Sequence, residues 1–211
     1  MRRVIIGLAV AVFTVLALAG PASAAPAQVT QFRFSETVAD ALWSTSSATS
    51  STVASVDVSK STQGSRLVVD EVTDNYDANG NFTGGTNTLA DVASGFSFTL
   101  RQPLASASLS GSGLPATTCT FDANFNTIGC SATTIGVSVT WTGQGATTRG
   151  WFNEHFKNGG FSEIDHFYGT NRHAVATGTV GGLTLSASEL QFADLGTLKS
   201  GTVTICVGSS C

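Results

Sequence analysis

Between residues 135 and 141 the chain alternates without a break: Ile135, Val137, Val139 and Trp141 stand against Gly136, Ser138 and Thr140. Successive side chains of an extended strand point to opposite faces, so this spelling buries one face and leaves the other to polar contacts. The same period of two runs through 31–35, where Phe32 and Phe34 have polar neighbours, and through 54–58, where Ala54, Val56 and Val58 stand against Ser55 and Asp57. It returns at 96–100 and 177–186.

Charged residues make up only 11% of the chain and 23 glycines punctuate it, with Thr, Ser, Val and Ala filling much of the rest. That mixture disfavours helices and suits many short strands joined by glycine turns. Roughly a dozen strands fit the spacing, and the fold class expected is all-β: an antiparallel β-sandwich, jelly-roll-like or related, carrying two local disulfides. Residues 36–42 read either as a helical turn or as one more strand. The polar run 44–52 reads as a loop, and SASLSGSGLP (106–115) as a mid-chain connection too short and too apolar to separate two domains.

The first residues place Arg2 and Arg3 before an apolar run from Val4 to Ala19, then Gly20, Pro21 and the triplet Ala22, Ser23, Ala24. A positive start, an apolar stretch and small residues at a cleavage site are the order of a secretory signal peptide, so residues 1–24 are expected to be removed. The remaining 25–211 then form a single secreted, extracellular domain with no membrane insertion of the mature chain. The arginine pair fits either general or twin-arginine export.

Loss of Arg2 and Arg3 reduces 10 basic residues to 8 against 14 acidic ones, a net charge of −6. An acidic chain without a basic cluster offers nothing for phosphate backbones to displace counterions from, which excludes nucleic acid as the expected partner.

Four cysteines lie in the exported part, Cys119, Cys130, Cys206 and Cys211. Local geometry pairs Cys119 with Cys130 and Cys206 with Cys211, and a hairpin tip at Asn124 and Phe125 sets the first pair directly opposite each other. Loops this short stabilise by about 2 to 3 kcal/mol each on the chain-entropy model.

YDANGNFTGGT from Tyr76 is echoed by FDANFNTIGCS from Phe121, sharing Asp77 with Asp122, Asn79 with Asn124 and Asn81 with Asn126. Asp and Asn tolerate a left-handed backbone, so both stretches read as hairpin tips. YDANGN also resembles the hairpin of tyrosine-aspartate repeat proteins, here in one copy with a partial echo. Asn75, Asp77, Asn79 and Gly80 match the first positions of a calcium loop, but Thr86 stands where the acidic twelfth ligand is required, and an Asx-rich turn is the simpler expectation.

All three histidines fall in WFNEHFKNGGFSEIDHFYGTNRH, residues 151–173. Gly159–Gly160 and Gly169–Thr170 each suit a two-residue turn. If both form, His166 stands opposite His173 and His155 lies diagonal to His166 on the same face of a three-stranded meander. His155, His166 and His173 would then hold a zinc or copper ion with an open fourth position able to activate water. A tip at Asn158–Gly159 moves His155 opposite Ser162 instead, and a three-residue loop turns it to the other face.

On the histidine face of that meander, Trp151, Asn153, Tyr168 and Asn171 form an aromatic and amide surface suited to a carbohydrate or a protein partner. Neither G-x-S-x-G nor H-E-x-x-H occurs. The expected function is therefore a non-catalytic extracellular binding module acting on cell-surface or environmental polymers. A metal-dependent enzyme built on the three histidines and a structural surface protein are the alternatives.

Overall fold

The computed structural model describes residues 28–159 and 161–207, and the described residues contain twelve strands and no helix. In chain order these are β1 (Gln28–Phe32), β2 (Ser35–Ser46), β3 (Ser50–Ser61), β4 (Gly64–Tyr76), β5 (Phe82–Val92) and β6 (Phe96–Arg101). They are followed by β7 (Ser106–Asp122), β8 (Thr127–Gly143), β9 (Thr148–Asn158), β10 (Phe161–Val180), β11 (Leu183–Leu185) and β12 (Leu190–Val207). The expected signal peptide, 1–24, lies outside the described residues.

The all-β, antiparallel expectation holds, but the strands are not divided between two facing sheets. One continuous sheet runs β12-β2-β3-β4-β5-β7-β8-β10, and β10 pairs back onto β12, so these eight strands form a closed circuit. Inward and outward residues alternate in the same way in a sandwich and in a closed sheet, which is why the pattern alone did not separate them. Closure depends on the length of two strands. β10 pairs β8 through 174–180 and β12 through 161–173, while β12 pairs β2 through 190–199.

One core fills the circuit. Trp43, Trp141, Val56, Val58, Leu67, Val69, Val139 and Leu195 are all at most 1% exposed. The face of 135–141 assigned from its alternation is the buried one. Each buried indole finds a partner: Trp43 Nε1 donates to the Ala176 carbonyl oxygen at 3.3 Å, and Trp141 Nε1 to that of Asp40 at 2.9 Å. These two bonds tie β2 to β10 and β8 and remove the cost of burying an unsatisfied donor.

The stretch left open between helical turn and strand is strand, and so are the two read as a loop and a connection. Residues 36–42 belong to β2, and the polar run 44–52 continues β2 into β3 with only 47–49 as its turn. Threonine suits a pleated surface and pairs through its hydroxyl, as Thr52 does with Thr73 at 3.0 Å. SASLSGSGLP is the first half of β7, not a connection. The ladder slips between Gly111 and Leu114, and there β7 changes neighbours, pairing β6 through 106–111 and β5 through 117–122. The glycines and serines provide a bend within a strand.

Cys119 and Cys130 face each other across β7 and β8 and are joined with a 2.03 Å S–S bond. Cys206 is also disulfide-bonded, while Cys211, its expected partner, lies outside the described residues.

Beyond the circuit, β10 and β12 run on together and take β9 and β1 on their outer edges. The result is a four-stranded extension in the order β9-β10-β12-β1. It carries 151–158 and 161–171, while His173 lies where β12 also pairs β2.

Candidate functional site

The extension forms because the chain reverses at Gly159, whose φ of +56° is a left-handed conformation glycine adopts without strain. The reversal sets Asn158 opposite Phe161 and His155 opposite Ile164, the register of the two-residue tip. Gly169 does not reverse the chain. It lies within β10, paired with Gly150 on one side and Leu198 on the other.

That single difference separates the histidines. His155 and His166 share a face of the β9–β10 pair, but each ring has its own partner: His155 Nε2 lies 3.2 Å from Ser162 Oγ, and His166 Nδ1 lies 2.7 Å from Asn153 Oδ1. His173 is seven residues further along the same strand and on its opposite face, roughly 23 Å away at a strand's rise of about 3.3 Å per residue. Its Nδ1 stands 2.7 Å from Asp194 Oδ1. Among the described residues no three His, Cys, Asp or Glu side chains are grouped to hold a metal ion. The expected zinc or copper triad of His155, His166 and His173 is therefore not brought together on one face.

The aromatic surface survives in part. Trp151 is directly opposite Tyr168, their ring centroids 4.9 Å apart and tilted by 51°, and Trp151 is 80% exposed. Asn153 and His166 form the next pair on that face. Asn171 does not join them. Three residues beyond Tyr168 in an unbroken strand, it faces the other way, and its carbonyl oxygen accepts from Thr148 Oγ1 at 3.3 Å.

The two DAN tips match bond for bond. The Asp77 carboxylate accepts from the backbone N–H groups of Asn79 and Asn81 and from the Asn81 amide, at 2.8, 2.9 and 3.0 Å. Asp122 does the same with Asn124 and Asn126 at 2.8, 2.9 and 3.1 Å. These bonds hold both carboxyl groups below the usual carboxylate range. They build around Asp77 the Asx-rich turn that was the simpler expectation. Because β5 pairs β7, the tips lie side by side, and Phe82 stacks on Phe125 at 4.3 Å.

A second constellation was not found from the sequence. On the outer face of the circuit, consecutive cross-strand partners are His173, Asp194, Asp40, Asp57, Val68 and Asp91, on β10, β12, β2, β3, β4 and β5. At one end Arg66 grips Asp91 with two bonds, at 2.9 and 2.6 Å, and holds its carboxyl low. In the middle of the row Asp40 has no such cation. Burial above all, then the charges of Asp194 and Asp57, pushes its carboxyl up to about 7. Burial raises Asp57 as well, with Arg66 opposing. A sequence clue existed, since Asp40 and Asp57 each stand between two core residues of an alternating strand. Which strands would be neighbours was not written there.

Comparison with protein-family models, with curated proteins and with solved structures finds no match.

Proposed function

We propose that this protein is an exported, non-catalytic binding module and that its contact surface is the Trp151 face of the four-stranded extension. The observation that carries the reading is the 80% exposure of Trp151 on a strand paired to β10 along its whole length. A large aromatic ring left in water loses the stabilisation its burial would supply, and aromatic residues held on paired strands are recurrent anchors for ligands.

The chemistry suits a sugar polymer. The exposed indole offers a flat apolar face to the C–H side of a pyranose ring, with Tyr168 tilted beside it. Asn153 and His166, on the next rung, supply donors and acceptors for hydroxyl groups. Export is supported by the order of residues in 1–24 and by the Cys119–Cys130 disulfide, a bond that persists in oxidising surroundings.

A glycan array together with a pull-down on insoluble cell-wall polysaccharide tests this. Wild type should bind, and Trp151→Ala should bind at least about tenfold more weakly while melting at the same temperature, because so exposed a ring contributes little to folding. Equal binding by the two proteins would remove the proposed surface.

A further inference from the structure

The acid row sits at a structural junction. The His173–Asp194 pair is the last rung joining β10 to β12 before β10 turns to β8, and Asp194 is also opposite Asp40 across the β12–β2 seam. That seam lies next to the β10–β12 pairing that closes the circuit, and β12 leads from it straight into the extension.

We propose that the Asp194–Asp40–Asp57 row is a proton-operated latch on the β12–β2 seam, closed in mildly acidic surroundings and loosened in neutral to alkaline ones. Its basis is cross-strand placement. Like charges directly opposite each other on neighbouring strands repel, and this row sets three carboxyl groups on three adjacent strands. One proton on Asp40 removes both repulsions at once.

The groups facing Asp40 leave the row with little counter-charge. From β12 comes Asp194, 16% exposed, and beyond it on β10 His173, which adds attraction to Asp194 when protonated. From β3 comes Asp57. On β4, Arg66 is committed to Asp91, and Asp70 is held by the Asn87 amide at 2.9 Å. On β2 itself Glu36 is another acid, raised by burial, and it acts in the same direction. Arg172 is turned to the carbonyl oxygens of Gly145 and Leu104. Lys60 and Lys199 fall on the other face by strand alternation.

The sign follows from Asp40's folded value of about 7 against an ordinary 3.8. The folded state holds this proton more tightly than the unfolded chain, so the stabilisation is complete below the ordinary value and is lost as pH rises through 7. The latch is independent of whether Trp151 binds anything.

Thermal unfolding and backbone hydrogen exchange between pH 5 and 8, corrected for the intrinsic exchange rate, test it on wild type and on Asp40→Asn. Wild type should melt roughly 5 °C lower at pH 8 than at pH 5. Protection of the β12 amides paired to β2 should fall at least about tenfold, while that of the β3–β4 ladder falls less. Asp40→Asn should flatten both responses. A wild type that melts equally at both pH values, an Asp40→Asn variant that keeps the slope, or a loss of protection spread evenly over all ladders overturns the latch. Carboxyl carbon NMR of Asp40 in the wild-type protein needs no variant: a midpoint near 7 supports the latch, and one near 4 overturns it.

Discussion

Gly159 and Gly169 lie ten residues apart, each at the head of a pair of residues that suits a two-residue turn, and they end in opposite states. At Gly159 the chain reverses with φ +56°. At Gly169 it runs straight on through a twenty-residue strand. The difference lies in their neighbours. Gly169 has Gly150 on one side and Leu198 on the other, so a reversal there would forfeit rungs in two ladders at about 0.5 to 1.5 kcal/mol net for each hydrogen bond. Turn chemistry permits a reversal, and the availability of partners decides whether it happens.

A third glycine, Gly178, on the same strand as Gly169, sharpens the contrast. It is neither a turn nor open to change, because a Cβ there would collide with the Ser138 carbonyl oxygen and lie 2.8 Å from Val139 Cα on β8. Substituting alanine at all three positions therefore breaks the comparison in three distinct ways. Gly178→Ala should have the largest effect, about 3 kcal/mol lost in urea unfolding, since backbone must move on one of two core strands. A cost below about 0.5 kcal/mol would mean that β8 and β10 do not approach so closely.

Gly159→Ala should cost about 1 kcal/mol, the penalty of a left-handed backbone for a residue with a side chain. The loss should appear as faster hydrogen exchange confined to the β9–β10 ladder, and an effect spread over the circuit would contradict a local tip. Gly169→Ala should be the smallest change and of opposite sign, a gain of about 0.5 kcal/mol, because alanine loses less freedom than glycine in an extended strand. The nearest atoms to that Cβ are 3.7 and 3.8 Å away, which is ordinary contact. If Gly169→Ala destabilised as much as Gly159→Ala, the unbroken strand would be wrong and the expected meander would return.

The fate of the histidines follows from the same contrast. With Gly159 as the tip, His155 takes the register opposite Ile164 that local turn geometry allows, and it shares a face with His166. His173 was assigned to them through a second reversal that does not occur, and an odd number of residues in an unbroken strand puts it on the far face. Asn171 left the Trp151 surface for that reason too, whereas Tyr168 stayed because it pairs with Trp151 across β9 and β10. What remains of the expected site is what one hairpin can hold together.

The twin tips show how far local information reaches. Asp77 and Asp122 bind their own turns through bonds spanning no more than four residues, and the echo between the two stretches was readable as turn chemistry. That Phe82 would stack on Phe125 was not, because it requires β5 to pair β7 across the whole of β6. Likewise, Asp57 could be assigned to the outer face of its strand from alternation alone, and Asp40 to that of its own once 36–42 is taken as strand. Their shared row with Asp194 and His173 joins residues more than a hundred positions apart.

By itself the amino-acid order determined that the chain is built of antiparallel strands, which face of an alternating stretch such as 135–141 is apolar, where Cys119 meets Cys130 and where the backbone can turn, because each of these is settled by side-chain size, polarity and glycine within a few positions. Tertiary structure alone decided that the sheet closes on itself, that the chain declines to turn at Gly169 and that carboxyl groups from three strands stand side by side. Those outcomes depend on which strand becomes whose neighbour, and backbone hydrogen bonds, being alike in every residue except proline, leave that choice to the packing of the whole.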